Sequence, residues 1–306
     1  MTITQTELTM TADPIPNRLD DLRSLARRRP ALSEIEDYLR DPDPAVRHAA
    51  VALLAHTNPQ GAGDAFAWAL ADADDRVRRT AADALRVLPE IYIGGDGVNA
   101  LLLAAARGRD AQVRETAAEM LRLLTEGAKE LYAQGLHDGE PHLRVQAILG
   151  LVALKAVTEV GEGADDPARE IRVAVAEGLG GLGTQVGITA LEQLITDHDP
   201  VVRMAALEAA AELGVPEALS GRVVTAVAHV SWQVRRRAAM ALGAASPDIS
   251  INPLIRALND RIVDVRRAAV QSLERWADRP EVTQALTEAL SDPDPGVRTQ
   301  VRWALA

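Results

Sequence analysis

The sequence predicts an all-α fold, a right-handed α-solenoid of about nine helix pairs with an N-terminal helical cap, and three observations carry that prediction. An acidic turn followed by an apolar residue, an Arg and a run of small residues recurs nine times, with arginines at Arg47, Arg78, Arg114, Arg144, Arg172, Arg203, Arg235, Arg266 and Arg298. Their spacings of 31, 36, 30, 28, 31, 32, 31 and 32 residues are repeat periods rather than domain lengths. The core material is small: 47% of the residues are hydrophobic, but there are only four Trp, three Tyr and one Phe, so Ala, Leu and Val must fill it, as closely stacked helices allow. Length alone would suggest about two domains; the period describes a single quasi-linear array over residues 18–306.

Taken in order, Met1 to Asn17 is Thr-rich, with neither the basic start nor the apolar run of a secretory signal, and is read as a disordered segment. Helices between Arg18 and Leu39 form the cap. In each copy apolar or small residues then fall at 0, +3, +4, +7 and +8 from the residue before the Arg, as in Val46, Ala49, Ala50, Leu53 and Leu54, which is one face of a helix. A second amphipathic segment lies upstream, for example Gly61 to Ala71 or Ile251 to Leu258. Asp-Pro pairs separate the two, because Pro suits a first turn and Asp caps free amides. Two places break the period. Pro89 to Gly97 adds about five residues, read as a loop or bent helix entry. Between the fourth and fifth copies the leading helix must fit within Lys155 to Asp165, and ten of the 21 glycines lie between Gly135 and Gly187, which marks a bend over 155–187. Gly178, Gly180 and Gly183 match G-x-G-x-x-G, yet they lie in a second helix with no strand before them, so the dinucleotide reading fails.

This pattern resembles the HEAT family of helical repeats, in particular the short HEAT-like unit also found in phycobilisome lyases. The resemblance implies that an Asp six residues before each Arg pairs with that Arg or with the Arg of a neighbouring repeat. Asp41, Asp72, Asp138, Asp166, Asp197, Asp260 and Asp292 hold that position, while Gly108 and His229 replace it and put the ladder in doubt there. The nine arginines are therefore assigned to structure rather than to a nucleic-acid stripe.

The resemblance also implies that second helices line a concave face, where positions +2, +5, +6 and +9 remain once the core face is subtracted. In the second and third copies these are mostly polar (Arg79, Asp83, Arg86, Glu115, Glu119, Arg122). The fourth copy gives Val145, Ile148, Leu149 and Val152. Val173 and Glu177, Met204, Leu207 and Glu208, then Arg236 and Met240 follow, before polarity returns at Arg267. This is an apolar patch in repeats 4–7 edged by charge, either an open groove or residues buried by local curvature. Trp232 replaces a turn Asp or Pro and is a second candidate contact. Val301, Trp303 and Leu305 are expected to be partly uncovered and to offer self-association through the C-terminal repeat, whereas Trp276 is expected in the core.

Function is legible only as a class. The expected protein is a cytoplasmic scaffold holding a protein or peptide partner on the concave face; the alternative is an apolar small-molecule binder or a lyase-type enzyme using the same groove. A net charge of −11 disfavours nucleic acid and membrane surfaces. With no Cys there are no disulfides or thiolate sites. The six histidines form no H-E-x-x-H and no His-Glu pair, which argues against the di-iron chemistry of HEAT-type deoxyhypusine hydroxylases; His137 and His142 read as a solvated turn. The charge and the Trp placement likewise argue against HEAT-like alkylpurine DNA glycosylases. No catalytic residue, metal or cofactor is assigned.

Overall fold

The computed structural model describes residues 14–87, 93–108 and 110–306, and all regular elements among them are helical. The chain divides into two compact units, Met1–Gly127 and Ala128–Ala306. The first contains α1 (Ile15–Ala26), α2 (Leu32–Leu39), α3 (Pro44–Thr57), α4 (Ala62–Ala69), α5 (Asp75–Val87) and α6 (Gly95–Arg107). The division falls within α7 (Ala111–Gly135). The second unit continues with α8 (Pro141–Ala153), α9 (Val157–Glu162), α10 (Arg169–Leu182), α11 (Ile188–Ile195), α12 (Pro200–Glu212) and α13 (Glu217–Ala226). It is completed by α14 (Trp232–Leu242), α15 (Pro247–Ala257), α16 (Val263–Leu273), α17 (Pro280–Ala289) and α18 (Pro295–Ala304). Each unit has its own core, built almost wholly from Ala, Leu, Val and Ile, with Phe66 fully buried in the first. Among the described residues no helix is long and apolar enough to cross a membrane.

The turn motif D-x-D-P divides its labour. The first Asp accepts the N–H two residues ahead: Asp41 from Asp43, Asp72 from Asp74, Asp166 from Ala168, Asp197 from Asp199, Asp260 from Ile262 and Asp292 from Asp294, each at 2.8 Å. The second Asp caps the helix, as Asp43 does for Ala45 at 2.8 Å and Asp199 for Val201 at 2.8 Å. Pro44, Pro200 and Pro295 then open their helices, where a missing N–H costs nothing.

The ladder is resolved in favour of the neighbour. Arg47, Arg144, Arg172, Arg235 and Arg266 each grip the Asp of the next turn with Nε and Nη2, the Nε–Oδ2 distances being 2.6–2.7 Å. In the same copies Nη1 donates to the carbonyl six residues back, on the arginine's own turn, at 2.7–2.9 Å. At the Gly108 turn the ladder persists, because Asp110, two residues on, accepts from Arg78 Nε at 2.6 Å. Arg18 on α1 pairs with Asp41, so the cap carries a rung as well. Among the described residues Arg114, Arg203 and Arg298 bond only to their own turn carbonyls.

Several boundaries differ from the sequence reading. Residues 1–13 and 88–92 lie outside the described residues, and the cap helix begins at Ile15 rather than Arg18. No Pro or Asp-Pro stop occurs between Leu121 and Gly135, so the second helix of the third copy and the first helix of the fourth run together as α7, of 25 residues. The short helix before the fifth copy is six residues, α9, followed by one 3-10 turn. In α10, a Cβ on Gly180 would lie 2.8 Å from the Ala209 backbone, so that glycine permits the approach of α12; Gly183 simply ends the helix.

Two predictions follow from the ladder. Arg266 and Asp292 have side chains only 10% and 6% exposed, so Asp292→Ala strands a buried guanidinium and should lower stability by about 3 kcal/mol. Asp75→Ala, which breaks the exposed Arg79–Asp75 pair, should cost no more than about 0.5 kcal/mol; urea unfolding followed by circular dichroism separates them. The second concerns pH. Burial pushes Asp72, Asp166, Asp197 and Asp292 upward, but the hydrogen bonds from their arginines and turn amides outweigh it; at Asp260 the Arg235 bond is the largest influence. All five carboxyls are held below their ordinary value. Because the unfolded chain binds protons first, the ladder's stabilisation is complete above roughly pH 5 and is lost as pH falls through about 4 toward the folded values. Melting temperature should be flat from pH 7 to 5 and then drop, and less steeply in Asp260→Asn.

Candidate functional site

In the second unit the second helices α8, α10, α12, α14, α16 and α18 pack on one another more extensively than the first helices do, so they form its inner row. The interior members, α10, α12, α14 and α16, are therefore flanked on both sides by another second helix as well as backed by their own first helix. This lateral packing corrects the inner-face assignment. Position +5, read as part of the binding face, is core in the fourth to eighth copies: Ile148, Ala176, Leu207 and Ala239 are 0% exposed and Val270 is 1%. Ile148 and Leu207 are thus removed from the candidate surface.

Position +6 is the outermost. Leu149 is 50% exposed, Glu177 and Glu208 are exposed, and Met240 is half-buried. At +2, Val145, Val173 and Met204 are half-buried against the core, as is Val152 at +9, and Arg236 is exposed. The inner face of repeats 4–7 is accordingly neither wholly open nor wholly buried: a shallow apolar strip with Leu149 standing proud of it. Glu208 is engaged by Arg237 rather than Arg236, at 3.1 Å. Trp232, placed by the sequence in a turn either exposed or packed on its neighbour, is the first residue of α14 and packs half-buried against the core. Trp276 is likewise half-buried in a 3-10 turn.

Polar chemistry is concentrated farther along the row, between α16 and α18. Arg267, Pro295, Gly296, Thr299, Gln300 and Trp303 line a concavity of about 400 Å³. Asp294 Oδ1 accepts from Arg267 Nη2 at 2.9 Å and fixes the guanidinium. A Cβ on Gly296 would lie 2.2 Å from that Nη2, so glycine there makes room for the group. Arg267 Nε and Gln300 Oε1 are both buried without a hydrogen-bond partner among the described residues. Beside them Trp303 is 70% exposed, as expected, whereas Val301 is fully buried, against expectation. The sequence reading included Arg267 and Trp303 but missed Gln300, which carries no motif; its signal is only its place one turn from Trp303 on the same helix.

The first unit carries a different concavity, on its first-helix side. Leu32, Leu39, Trp68 and Ala69 supply its apolar lining and Asp64 and Asp96 part of its acidic rim, in about 540 Å³, with Trp68 55% exposed. Asp64 is committed to structure, accepting the Gly94 N–H at 2.7 Å. Among the described residues no three His, Asp or Glu side chains are grouped to hold a metal ion, and His142 has only Glu140 nearby, at 4.0 Å.

The sequence pattern of the family described as HEAT repeats matches residues 32–122, 157–221 and 222–306. No curated protein matches the chain significantly. Among solved structures the fold is similar to that of an engineered protein, with 17% identity, 97% of this chain and 96% of that one covered, and a TM-score of 0.44. It is also similar to the complex of CpcE and CpcF of phycocyanin lyase from a Nostoc species, with 22% identity, 49% and 98% covered, and a TM-score of 0.42. A designed armadillo repeat protein in complex with peptide (KR)4 shows 18% identity, 67% and 96% covered, and a TM-score of 0.41. With most of its residues inside the matched segments, the chain belongs to the HEAT-repeat family.

Proposed function

We propose that this protein is a binding scaffold that holds an extended segment of a partner protein along the second-helix row of residues 128–306. The observation that carries the reading is the pair Arg267 Nε–H and Gln300 Oε1, one donor and one acceptor, buried and unmet in the same concavity beside an exposed Trp303. An unmet buried polar group costs roughly 1–3 kcal/mol, which a ligand that satisfies it recovers. Once the Arg267 and Gln300 side chains swing to uncover these atoms, a peptide group offers a carbonyl to the one and an N–H to the other, while the indole supplies the large amphipathic contact typical of interface anchors. The strip from Leu149 through Met204 to Met240 gives the partner's apolar side chains a shallow bed, with Glu177 and Arg236 to orient it by charge. The same strip could serve an apolar small molecule, but the unmet donor and acceptor at the Trp303 end favour a peptide.

The test is selection of random peptides displayed on phage against the full chain, followed by affinity measurement on purified peptides. Trp303→Ala should weaken the selected peptides about thirtyfold, corresponding to the ~2 kcal/mol of a hot-spot residue. Leu149→Asp should weaken those with an apolar residue at the matching end, and both variants should keep wild-type helicity because both side chains are exposed. Equal affinity in both variants, or a small molecule released on denaturing the purified protein in place of any selected peptide, would overturn the reading.

A further inference from the structure

The regularity of the ladder makes its interruption between the sixth and seventh turns informative. Everywhere else in the second unit, from Arg144 to Arg266, the guanidinium presents Nη1 to its own turn and Nε with Nη2 to the carboxylate ahead. At Arg203 the residue ahead is His229. Its Nδ1 accepts the Ser231 N–H at 3.1 Å, as the Asp Oδ1 does in other turns. A neutral imidazole so engaged carries its proton on Nε2, which is a donor where Asp offers Oδ2 as an acceptor. Burial and the positive Arg203 and Arg235 outweigh the Ser231 bond and hold His229 below its ordinary value, so it is neutral at pH 7. A donor cannot pair with a guanidinium. Arg203 has turned accordingly: Nε, not Nη1, donates to the Asp197 carbonyl, and Nη1 and Nη2 have no hydrogen-bond partner among the described residues.

Those two nitrogens belong to a residue lining a concavity of about 340 Å³ that also includes Arg222, Thr196, Thr225, His229 and Val230. The corresponding seam two turns earlier is an internal control. There Asp138, Glu162, Asp165 and Asp166 line the concavity and Arg144 is held by Asp166 at 2.7 Å, so the seam supplies its own anion. No carboxylate lines the Arg203 seam. Arg222 is paired with Glu192, at 3.2 Å. Thr196 and Thr225 donate to carbonyls of their own helices, at 2.9 and 2.8 Å, which leaves the arginines as the anion-seeking groups. Two guanidiniums against one carboxylate give the seam one uncompensated positive charge, which matches a monoanion.

We propose that the seam between the α11–α12 turn and the α13–α14 turn, where Arg203 of α12 faces His229, is a binding site for a carboxylate supplied from outside the chain, which takes on Arg203 the place that an Asp takes in the other rungs. The guanidinium's planar fork suits two carboxylate oxygens. The carboxylate belongs either to a free small acid or to an acidic side chain of a partner; the recognition chemistry is the same.

Nitrogen-edited NMR of the arginine Nε–H groups in the full chain tests the site, with sodium acetate titrated against sodium chloride at equal ionic strength. The expected result is a saturable shift of the Arg203 signal with acetate in the millimolar range and none with chloride. His229→Asp builds the missing rung internally, so it should abolish the acetate response and raise the melting temperature, an outcome that does not depend on a destabilised variant. A blocked tripeptide with a central Glu forms the second arm: a partner's side chain as source predicts saturation about tenfold lower than acetate, and a free acid predicts equal saturation. Absence of an acetate response in the wild type, persistence of it in His229→Asp, or tighter saturation by inorganic phosphate than by acetate overturns the proposal.

Discussion

The structure depends on one arrangement, an arginine held between two consecutive turns. Its guanidinium ties its own turn through a carbonyl and the next turn through a carboxylate, and that carboxylate also accepts the amide that shapes its own turn. One buried ion pair thus fixes the turn at each end and the step between them. Such a pair gains little over apolar packing when intact and costs much when half of it is removed, so its main effect is on specificity of register: a repeat displaced along its neighbour loses both hydrogen bonds of the fork. The apolar layer, made of small interchangeable Ala, Val and Leu, could not impose that register alone. Ala against Ala offers no knob to distinguish one stacking offset from the next.

Much of this was legible in the sequence. The period, the helix faces and the Asp-Pro starts were readable because they rest on local spacing and turn chemistry; the pairing of Asp with Arg was implied by the resemblance to HEAT repeats. The direction of the pairing was not, since an Asp six residues before an Arg and an Asp some 25 residues after it are both plausible partners until the chain is folded. Gly108 put the ladder in doubt at its turn, but Asp110 on the same turn reaches Arg78. The run from Ala111 to Gly135 was read as two helices by analogy with other copies. It contains none of the Asp-Pro breakers that divide those copies, and a lone Gly127 is too weak a signal to stop a helix.

The candidate surface was half legible for a single reason. Helical periodicity reports which face is apolar, and it leaves open whether residues off that face look outward or are buried by their surroundings. A second helix in a stack is covered on three sides, so Ile148 and Leu207 at +5 belong to the contact with a neighbouring second helix, while Leu149 and Glu208, one residue later, look outward. Lateral burial cannot be derived from one helix, because it is a property of the stack. Gln300 escaped notice for the converse reason: nothing about a Gln in an amphipathic helix announces that its carbonyl will be enclosed and unmet.

A repeat protein is its own control, and that gives its exceptions a meaning they would lack in an irregular fold. Along the turn edge the acidic excess is largely consumed by the ladder, with Asp72, Asp166, Asp197, Asp260 and Asp292 each committed to an arginine and an amide, so that edge has little chemistry to spare. Two of the groups left unsatisfied stand where the repeat itself departs, one by losing a residue the pattern demands and one by adding a polar group. Arg203 lacks the carboxylate that Arg172 and Arg235 possess on either side of it, and Arg267 has gained an enclosed Gln300 and an exposed Trp303. In both cases the surrounding backbone is as regular as elsewhere, with Val202, Val234, Val265 and Val297 buried alike at position zero. The departures are therefore changes of side chain on a regular backbone: at Arg203 the stack loses a contact between turns and the guanidinium turns to its own carbonyl, while at Arg267 two enclosed polar atoms are left unmet. That pattern is what a binding group looks like in a repeat array: a partner withheld from the chain itself and left for something outside to supply.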